Sequence, residues 1–131
     1  MQSATAKRLE RMKYFPALVI VLALTIIQAA PAAEPLDQTI NYLLDYIGKS
    51  DAVFIRNGAT HTPAEAVDHI KAKYEHFKKE IKTPEDFIRL AASKSLLTGN
   101  SYLVHPRGGK EEPLSEWLTA ALKAHRAAGH G

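Results

Sequence analysis

Six polar side chains of types that bind anions or move protons lie close together in the sequence: Arg56, Asn57, His61, Glu65, His69 and Lys73. The first three surround a predicted turn. The last three recur at intervals of four, which places them on one face of a helix. An arginine here would bind a carboxylate or another anion, and a histidine beside a glutamate would carry a proton or act as a ligand. The pattern therefore indicates a polar ligand-binding site.

The same residues also have a structural interpretation, which the sequence leaves open. Arg56 could pair with Glu65 or Asp68, the Asn57-Gly58 pair could simply form a turn, and Glu65 could cap its own helix. Ion-pair networks of this kind perturb titration without serving any reaction.

Two serines, Ser93 and Ser95, lie near a predicted turn at Gly99 and complete the set of candidate ligand-binding residues. A nucleophilic serine needs a base and a sharp strand-to-helix turn such as GxSxG, which the sequence lacks. Capping of a helix end and hydrogen bonding within the turn are therefore favoured. We predict no catalytic residue, and an enzyme is the less favoured class.

Metal binding is a separate question, because Glu65 and His69 are four residues apart and His76 lies two turns further on. Zinc sites take three or four converging ligands. The sequence has no HExxH motif, no cysteine and no evident third ligand beyond His61. We predict neither a metal nor a cofactor.

Short elements bounded by Gly, Pro, Asn and Ser would position these side chains. Capping signals mark two helix starts, at Thr62-Pro63-Ala64-Glu65 and at Thr83-Pro84-Glu85-Asp86. Apolar periodicity and β-forming residues mark the other elements. The predicted helices span 36–47, 63–79, 84–94 and 113–127, and the predicted strands span 52–56 and 101–105.

The fold class follows from this order of helix, strand, helix, helix, strand, helix. Two strands alone cannot hold a sheet in water, so we expect them to pair, parallel or antiparallel, against the helices. The prediction is an α+β fold, mostly α, with about four helices and one short two-stranded sheet. Helical or strand-core spacing assigns the larger aromatic residues to the core rather than to a ligand platform: Tyr42, Tyr46, Tyr74, Tyr102 and Trp117.

The N-terminus has the order of a secretory signal peptide. Four basic residues precede an apolar run over 15–27, and small residues follow it. Ala30 and Ala32 satisfy the need for small side chains before the cut, which predicts cleavage after Ala32. The alternative is a retained membrane anchor, but the run is shorter than the ~20 apolar residues that span a bilayer. No twin-arginine pair is present, which favours the general secretion route.

Removing residues 1–32 changes the charge of the protein. The whole chain has 17 Lys and Arg against 14 Asp and Glu, a net charge of +3. The predicted signal peptide takes away four bases and one acid, so that 13 of each remain in the predicted domain, residues 33–131. A nucleic-acid-binding domain would keep a basic excess. We therefore predict a periplasmic protein with no nucleic-acid partner and no stable membrane anchor after cleavage.

The chain resembles the YfeK-like family of small exported bacterial proteins of unknown function. The similarity rests on Phe54 to Gly58, His61-Thr62, Glu65-Ala66, His69-Ile70, Lys73, Thr83, Asp86 to Ile88, Ala92-Ser93, Ser95, Thr98-Gly99, Tyr102 to Val104 and Trp117-Leu118. It departs from the family at Leu96-Leu97, where members often have polar residues, and at Asn100, where proline is common. The resemblance implies an exported compartment but no mechanism.

Three functional classes remain open. The favoured class is a non-enzymatic periplasmic module that binds a small ligand or an unknown envelope protein around Arg56 and His69. The second is a structural accessory protein whose polar residues only hold the fold. The third is a small periplasmic hydrolase that uses His69 or His61. This class is less favoured because a short domain has little room for both a core and a deep cleft.

Overall fold

The computed structural model describes residues 34–130. The predicted signal peptide, with its cut after Ala32, lies outside these residues. The elements are helices α1 (Leu36–Gly48), α2 (Pro63–Phe77), α3 (Pro84–Ala91) and α4 (Leu114–His125), and strands β1 (Val53–Arg56), β2 (Ala59–His61), β3 (Leu103–His105) and β4 (Glu112–Pro113). The predicted α+β class and the four helices are confirmed. Within the described part of the chain, no helix is long and apolar enough to span a membrane.

Both predicted capping boxes form and fix where α2 and α3 begin. The Thr62 hydroxyl accepts a hydrogen bond from the Glu65 amide at 3.2 Å, and the Glu65 carboxylate accepts one from the Thr62 amide at 3.1 Å. Thr83 and Asp86 make the same exchange at the start of α3, where Pro84 occupies the first turn. These bonds satisfy amides that a helix start otherwise leaves without partners.

The sheet is larger than predicted, because it has four antiparallel strands in the order β2-β1-β3-β4 rather than two. Asn57 and Gly58 both adopt positive φ, 51° and 77°, and form a two-residue hairpin turn that pairs β2 with β1. On the other side β3 pairs with β1, and the short β4 pairs with β3. The element order therefore includes two strands that the sequence did not reveal.

One hydrophobic core joins the helices to the inner face of the sheet. Phe87 and Leu118 are completely buried on α3 and α4, as is Leu43 on α1. The sheet contributes Phe54 from β1 and Val104 from β3. This core fixes the relative positions of β1, α2 and the segment between α3 and β3, which carry the candidate site.

Helix α3 ends earlier than predicted, at Ala91 instead of near Lys94. The backbone leaves the helical region at Ala92, and the Ser93 hydroxyl donates a hydrogen bond of 2.7 Å to the Ile88 carbonyl. Lys94 then pairs with Ser101 in an isolated bridge. Residues 95–100 consequently form a closed turn at one end of the sheet instead of extending the helix.

An ion cluster at Arg126 connects the start and the end of the described chain. The guanidinium donates to both oxygens of Glu34, at 3.0 and 2.6 Å, and to both oxygens of Glu85. The hydrogen bonds from Arg126 are the main reason that the pKa values of Glu34 and Glu85 lie below the usual range. The cluster joins the entry of α1, the first turn of α3 and the segment after α4.

We expect Arg126→Gln to lower the free energy of unfolding by about 1 kcal/mol, because a bidentate network exceeds a simple surface pair. Arg107→Gln is the matched control, since Arg107 makes a single exposed pair with Asp51 at 3.5 Å. Urea unfolding at low ionic strength measures both variants. Equal effects in the two variants would contradict this role of the cluster.

Candidate functional site

Three segments bring the candidate residues together. Arg56 is the last residue of β1, and Asn57 begins the hairpin turn that follows it. His69 and Lys73 are one helical turn apart on α2. Ser95 lies in the turn after α3, and Tyr102 directly precedes β3.

Arg56 contacts His69, and not Glu65 or Asp68 as the structural interpretation allowed. Its Nη1 lies 2.9 Å from Nδ1 of His69 and 3.4 Å from Nε2. The nearer nitrogen can accept this hydrogen bond only if it carries no proton, which assigns a neutral ring with its proton on Nε2. Among the described residues, Arg56 forms no ion pair with a carboxylate.

Tyr102 connects His69 to Lys73. Its hydroxyl lies 2.9 Å from Nε2 of His69 and accepts a hydrogen bond of 3.1 Å from Nζ of Lys73. The Lys73 ammonium lies 4.8 Å from the centre of the Tyr102 ring and also donates to the Lys94 carbonyl at 2.6 Å. The result is a continuous chain from Arg56 through His69 and Tyr102 to Lys73.

Lys73 is 7% exposed, and every partner found for its ammonium is an uncharged group. Burial, and then the positive charges of Arg56 and Lys94, lower its pKa. Burial is also the first cause of the lowered pKa of His69, followed by the charges of Arg56, Lys73 and His61. Burial raises the pKa of the Tyr102 hydroxyl, an effect that Arg56 opposes. Protonation of His69 and Lys73 is resisted first because burial penalises their charged forms, and then because positive charges lie nearby.

A second hydrogen-bond network holds the turn after α3 against the β1–β2 turn. The Asn57 amide donates to the Ser95 hydroxyl at 3.3 Å, and its carbonyl oxygen accepts from the Thr98 hydroxyl at 2.6 Å. Ser95 also accepts from the Thr98 amide at 3.4 Å. Asn57 and Ser95 therefore position the wall of the site next to Arg56.

The other candidate residues lie outside this network. Nδ1 of His61 lies 3.6 Å from Oε2 of Glu65. The other carboxylate oxygen of Glu65 accepts the capping-box hydrogen bond from the Thr62 amide. Nε2 of His61 is buried without a hydrogen-bond partner among the described residues and lies near a cavity of about 40 Å³. Ser93 is used by the end of α3, as the capping interpretation predicted.

A pocket of about 160 Å³ opens where the two networks meet; we call it the Arg56–Lys73 pocket. Its lining consists of Arg56, Asn57, His69, Lys73, Ser95, Leu96, Leu97 and Tyr102. Five of the eight candidate residues thus share one concave surface. The sequence interpretation missed Tyr102, which it assigned to the core. Tyr102 is indeed 4% exposed, and only its hydroxyl reaches the site.

A larger groove of about 470 Å³ lies elsewhere, beside Tyr46 and Trp117. Its cations are paired with carboxylates, because Lys49 lies 4.0 Å from Asp45 and Arg107 contacts Asp51. The Arg56–Lys73 pocket differs in having two cations without such partners. Over residues 34–130, no three His, Asp or Glu side chains are grouped so that they could hold a metal ion.

Comparison with known proteins identifies the family. Residues 34–126 match the model of a family of unknown function, DUF5329. The chain belongs to this family. It is also 36% identical over 92 residues to the uncharacterized protein YfeK of Salmonella typhimurium (strain LT2), and the match covers 70% of this chain and 77% of that protein. The resemblance to a YfeK-like family is confirmed. No solved structure matches significantly.

The family assignment includes every residue of the Arg56–Lys73 pocket, since all of them lie within the matched range. Because both the family and the relative are of unknown function, the assignment supplies no activity. The chemistry of this DUF5329 protein depends on the residues of the pocket itself.

The depressed pKa of His69 predicts how stability depends on pH. The unfolded chain takes up a proton at His69 near pH ~6.5, whereas the folded protein does so only at lower pH. The stability contributed by the neutral ring is therefore complete above pH ~6.5 and is lost as the pH falls through the folded pKa. When the pH is lowered from about 7.5 to about 5.5, we expect the free energy of unfolding to fall less in His69→Gln than in the wild type.

His76→Gln is the matched control for this measurement, because His76 is exposed near the end of the same helix. Chemical unfolding at the two pH values gives the required difference for each protein. The same pH dependence in the His69 variant and the wild type would show that His69 is not the group responsible.

Proposed function

We propose that this protein is an exported periplasmic binding module that takes a carboxylate ligand in the Arg56–Lys73 pocket. The observation that carries the proposal is the meeting of two cations, Arg56 and Lys73, at one pocket without a carboxylate partner among the described residues. Export is supported by the basic and apolar N-terminus and by the Ala30-Pro31-Ala32 site.

The electrostatic argument starts from Lys73. Burying an ammonium costs several kcal/mol, on the order of what a well-placed counter-charge returns. In the described part of the chain, the Lys73 ammonium donates hydrogen bonds only to uncharged oxygens, the Lys94 carbonyl and the Tyr102 hydroxyl. The nearby guanidinium of Arg56 adds a second positive charge. A carboxylate in the pocket would supply the missing negative charge and accept hydrogen bonds from both groups.

The arrangement supports binding more than hydrolysis. His69 is directed toward Arg56 and Tyr102, so no carboxylate orients it as a general base. The Ser95 hydroxyl accepts hydrogen bonds from Asn57 and Thr98. In the pocket, no serine or threonine hydroxyl makes a hydrogen bond with Lys73 or His69. The nucleophile–base contact that acyl transfer requires is therefore lacking.

Calorimetric titration with acetate at constant ionic strength tests this function. Lys73→Met should weaken acetate binding by roughly tenfold or more, the amount a charge-assisted hydrogen bond contributes. Lys71→Met is the matched control, since Lys71 is exposed on the same helix. Equal acetate affinity in both variants, or no acetate binding by the wild type, would favour the accessory interpretation.

Export has its own experiment. Expression of the full 131-residue chain in a bacterial host should give a periplasmic product whose mass and first residues correspond to cleavage after Ala32. An uncleaved product recovered with the membrane would instead support the retained anchor.

A further inference from the structure

Two leucines on the rim of the Arg56–Lys73 pocket are more exposed than any other large apolar side chains in the described chain. Leu96 is 64% exposed and Leu97 is 95% exposed, and they are adjacent in sequence. Both line the pocket together with the two cations. Single exposed leucines are ordinary, but an apolar pair at the mouth of a charged pocket indicates a contact surface.

The leucines are held in this position by the turn that carries them. The Ser95 amide donates to the Asn100 carbonyl at 2.9 Å, and the Gly99 amide donates to the Ser95 carbonyl at 2.9 Å. The bond between Thr98 and Asn57 fastens the turn to the β1–β2 hairpin. Six hydrogen bonds close or anchor this turn when the Ser95 contacts with Asn57 and Thr98 and the bond from the Asn100 amide to the Thr98 hydroxyl are included. The apolar rim is thus a fixed part of the pocket.

We infer that the ligand is a carboxylate joined to a short apolar group. The carboxylate lies between Arg56 and Lys73, and the apolar group lies against Leu96 and Leu97. This inference rests on the proposed function and adds the chemical class of the ligand. The same chemistry occurs in a free short-chain acid and in the C-terminal residue of a peptide that ends in an apolar side chain.

The two halves of the pocket support this class over a compact inorganic anion. A planar guanidinium matches the two oxygens of a carboxylate, and one ammonium completes the charge. A volume of about 160 Å³ leaves space beyond a carboxylate, and the residues that border this space include two leucines. Inorganic phosphate would meet the same cations but leave the leucine side chains in water.

Titration with acetate, butyrate and hexanoate tests the inference on protein purified after expression of the full chain. Affinity should rise by up to about fourfold for each added methylene, the amount expected for a buried CH₂ group. The double variant Leu96→Ser/Leu97→Ser should lose this rise, so that it binds hexanoate no more tightly than acetate. Val53→Ser is the matched control, since Val53 is an exposed apolar residue on β1 that is 44% exposed and does not line the pocket.

The ligands compared in this experiment distinguish a free acid from a peptide C-terminus. They also distinguish failure of the inferred ligand class from failure of the proposed function. An N-acetylated Ala-Leu dipeptide that binds more tightly than hexanoate, while its C-terminal amide does not bind, supports the inference with a peptide C-terminus as the source. Tighter binding of hexanoate than of the dipeptide supports the inference with a free acid as the source. Acetate binding with no dependence on chain length, or a rise that persists in the double variant, overturns the inference and leaves the proposed function standing. Absence of binding by every carboxylate overturns both.

Discussion

Arg56→Gln is expected to weaken carboxylate binding by roughly 10- to 100-fold while leaving the fold intact, which corresponds to the loss of a charge-assisted hydrogen bond. Arg56 lies at the end of β1, and the only side-chain partner found for it in the described residues is His69. Glutamine can still donate to the His69 ring, so the cost to folding should be small. Calorimetric titration with butyrate and thermal melting measure the two effects separately.

Two further substitutions of arginine sharpen this prediction. Arg56→Lys keeps the charge but loses the planar fork, so its butyrate affinity should fall between those of the wild type and Arg56→Gln. Arg107→Gln removes an exposed arginine beside the larger groove and should leave butyrate binding unchanged. A melting temperature far below that of the wild type would show that Arg56 holds the fold. Butyrate affinity equal to that of the wild type would show that Arg56 does not bind the ligand.

Phe87→Ala is expected to lower the free energy of unfolding by about 3–5 kcal/mol, because it leaves a cavity at the centre of the core. Phe87 is completely buried on α3, and its ring meets the Tyr74 ring edge-on at 5.6 Å. The loss would be a large part of the 5–15 kcal/mol that typically stabilises a small domain. Urea unfolding, followed by far-ultraviolet circular dichroism, measures it.

The matched control for Phe87→Ala is Leu97→Ala, since Leu97 is nearly as exposed as Phe87 is buried. It should change stability by about 0.5 kcal/mol or less. A comparable loss in the two variants would mean that the turn carrying Leu97 packs against the core, which would remove the basis for treating Leu97 as part of a binding surface.

Helix starts could be predicted from the sequence because their signals are local. Thr62 with Glu65 and Thr83 with Asp86 form the expected bonds, and each lies within one helical turn. The hairpin turn at Asn57-Gly58 was visible for the same reason. The strand beyond it was not, because β2 has only three residues and contains no apolar alternation. Strand β4 has two residues, one of them proline, and is defined only by its pairing with β3.

The candidate site was predicted in part, since its residues are distant in sequence. The four-residue interval between His69 and Lys73 correctly placed both on one helix face. The partner that links them, Tyr102, comes from a segment near β3 and looked like an ordinary core residue. The same helical spacing suggested that Glu65 would flank His69, but its carboxylate instead caps α2 and approaches His61. Only the packing of the helix against the sheet decides these contacts.

Charge balance explains why composition alone did not indicate an anion site. The predicted domain has equal numbers of acidic and basic residues, which argues against a nucleic-acid partner. Arg126, Arg107 and Lys49 form ion pairs with carboxylates elsewhere in the described residues. The pocket keeps a local excess of positive charge within a neutral domain, and the carboxylate binding that we propose would depend on that local field.

Carboxylate binding between Arg56 and Lys73 is tested most directly by an NMR titration of isotope-labelled protein with butyrate at constant ionic strength. The Arg56–Lys73 pocket predicts saturable shift changes at the backbone amides of Arg56, Asn57, Lys73 and Ser95, and their loss in Lys73→Met. Saturable changes confined to residues around Trp117, or no saturable change at any amide, would contradict the claim that these two cations bind a carboxylate.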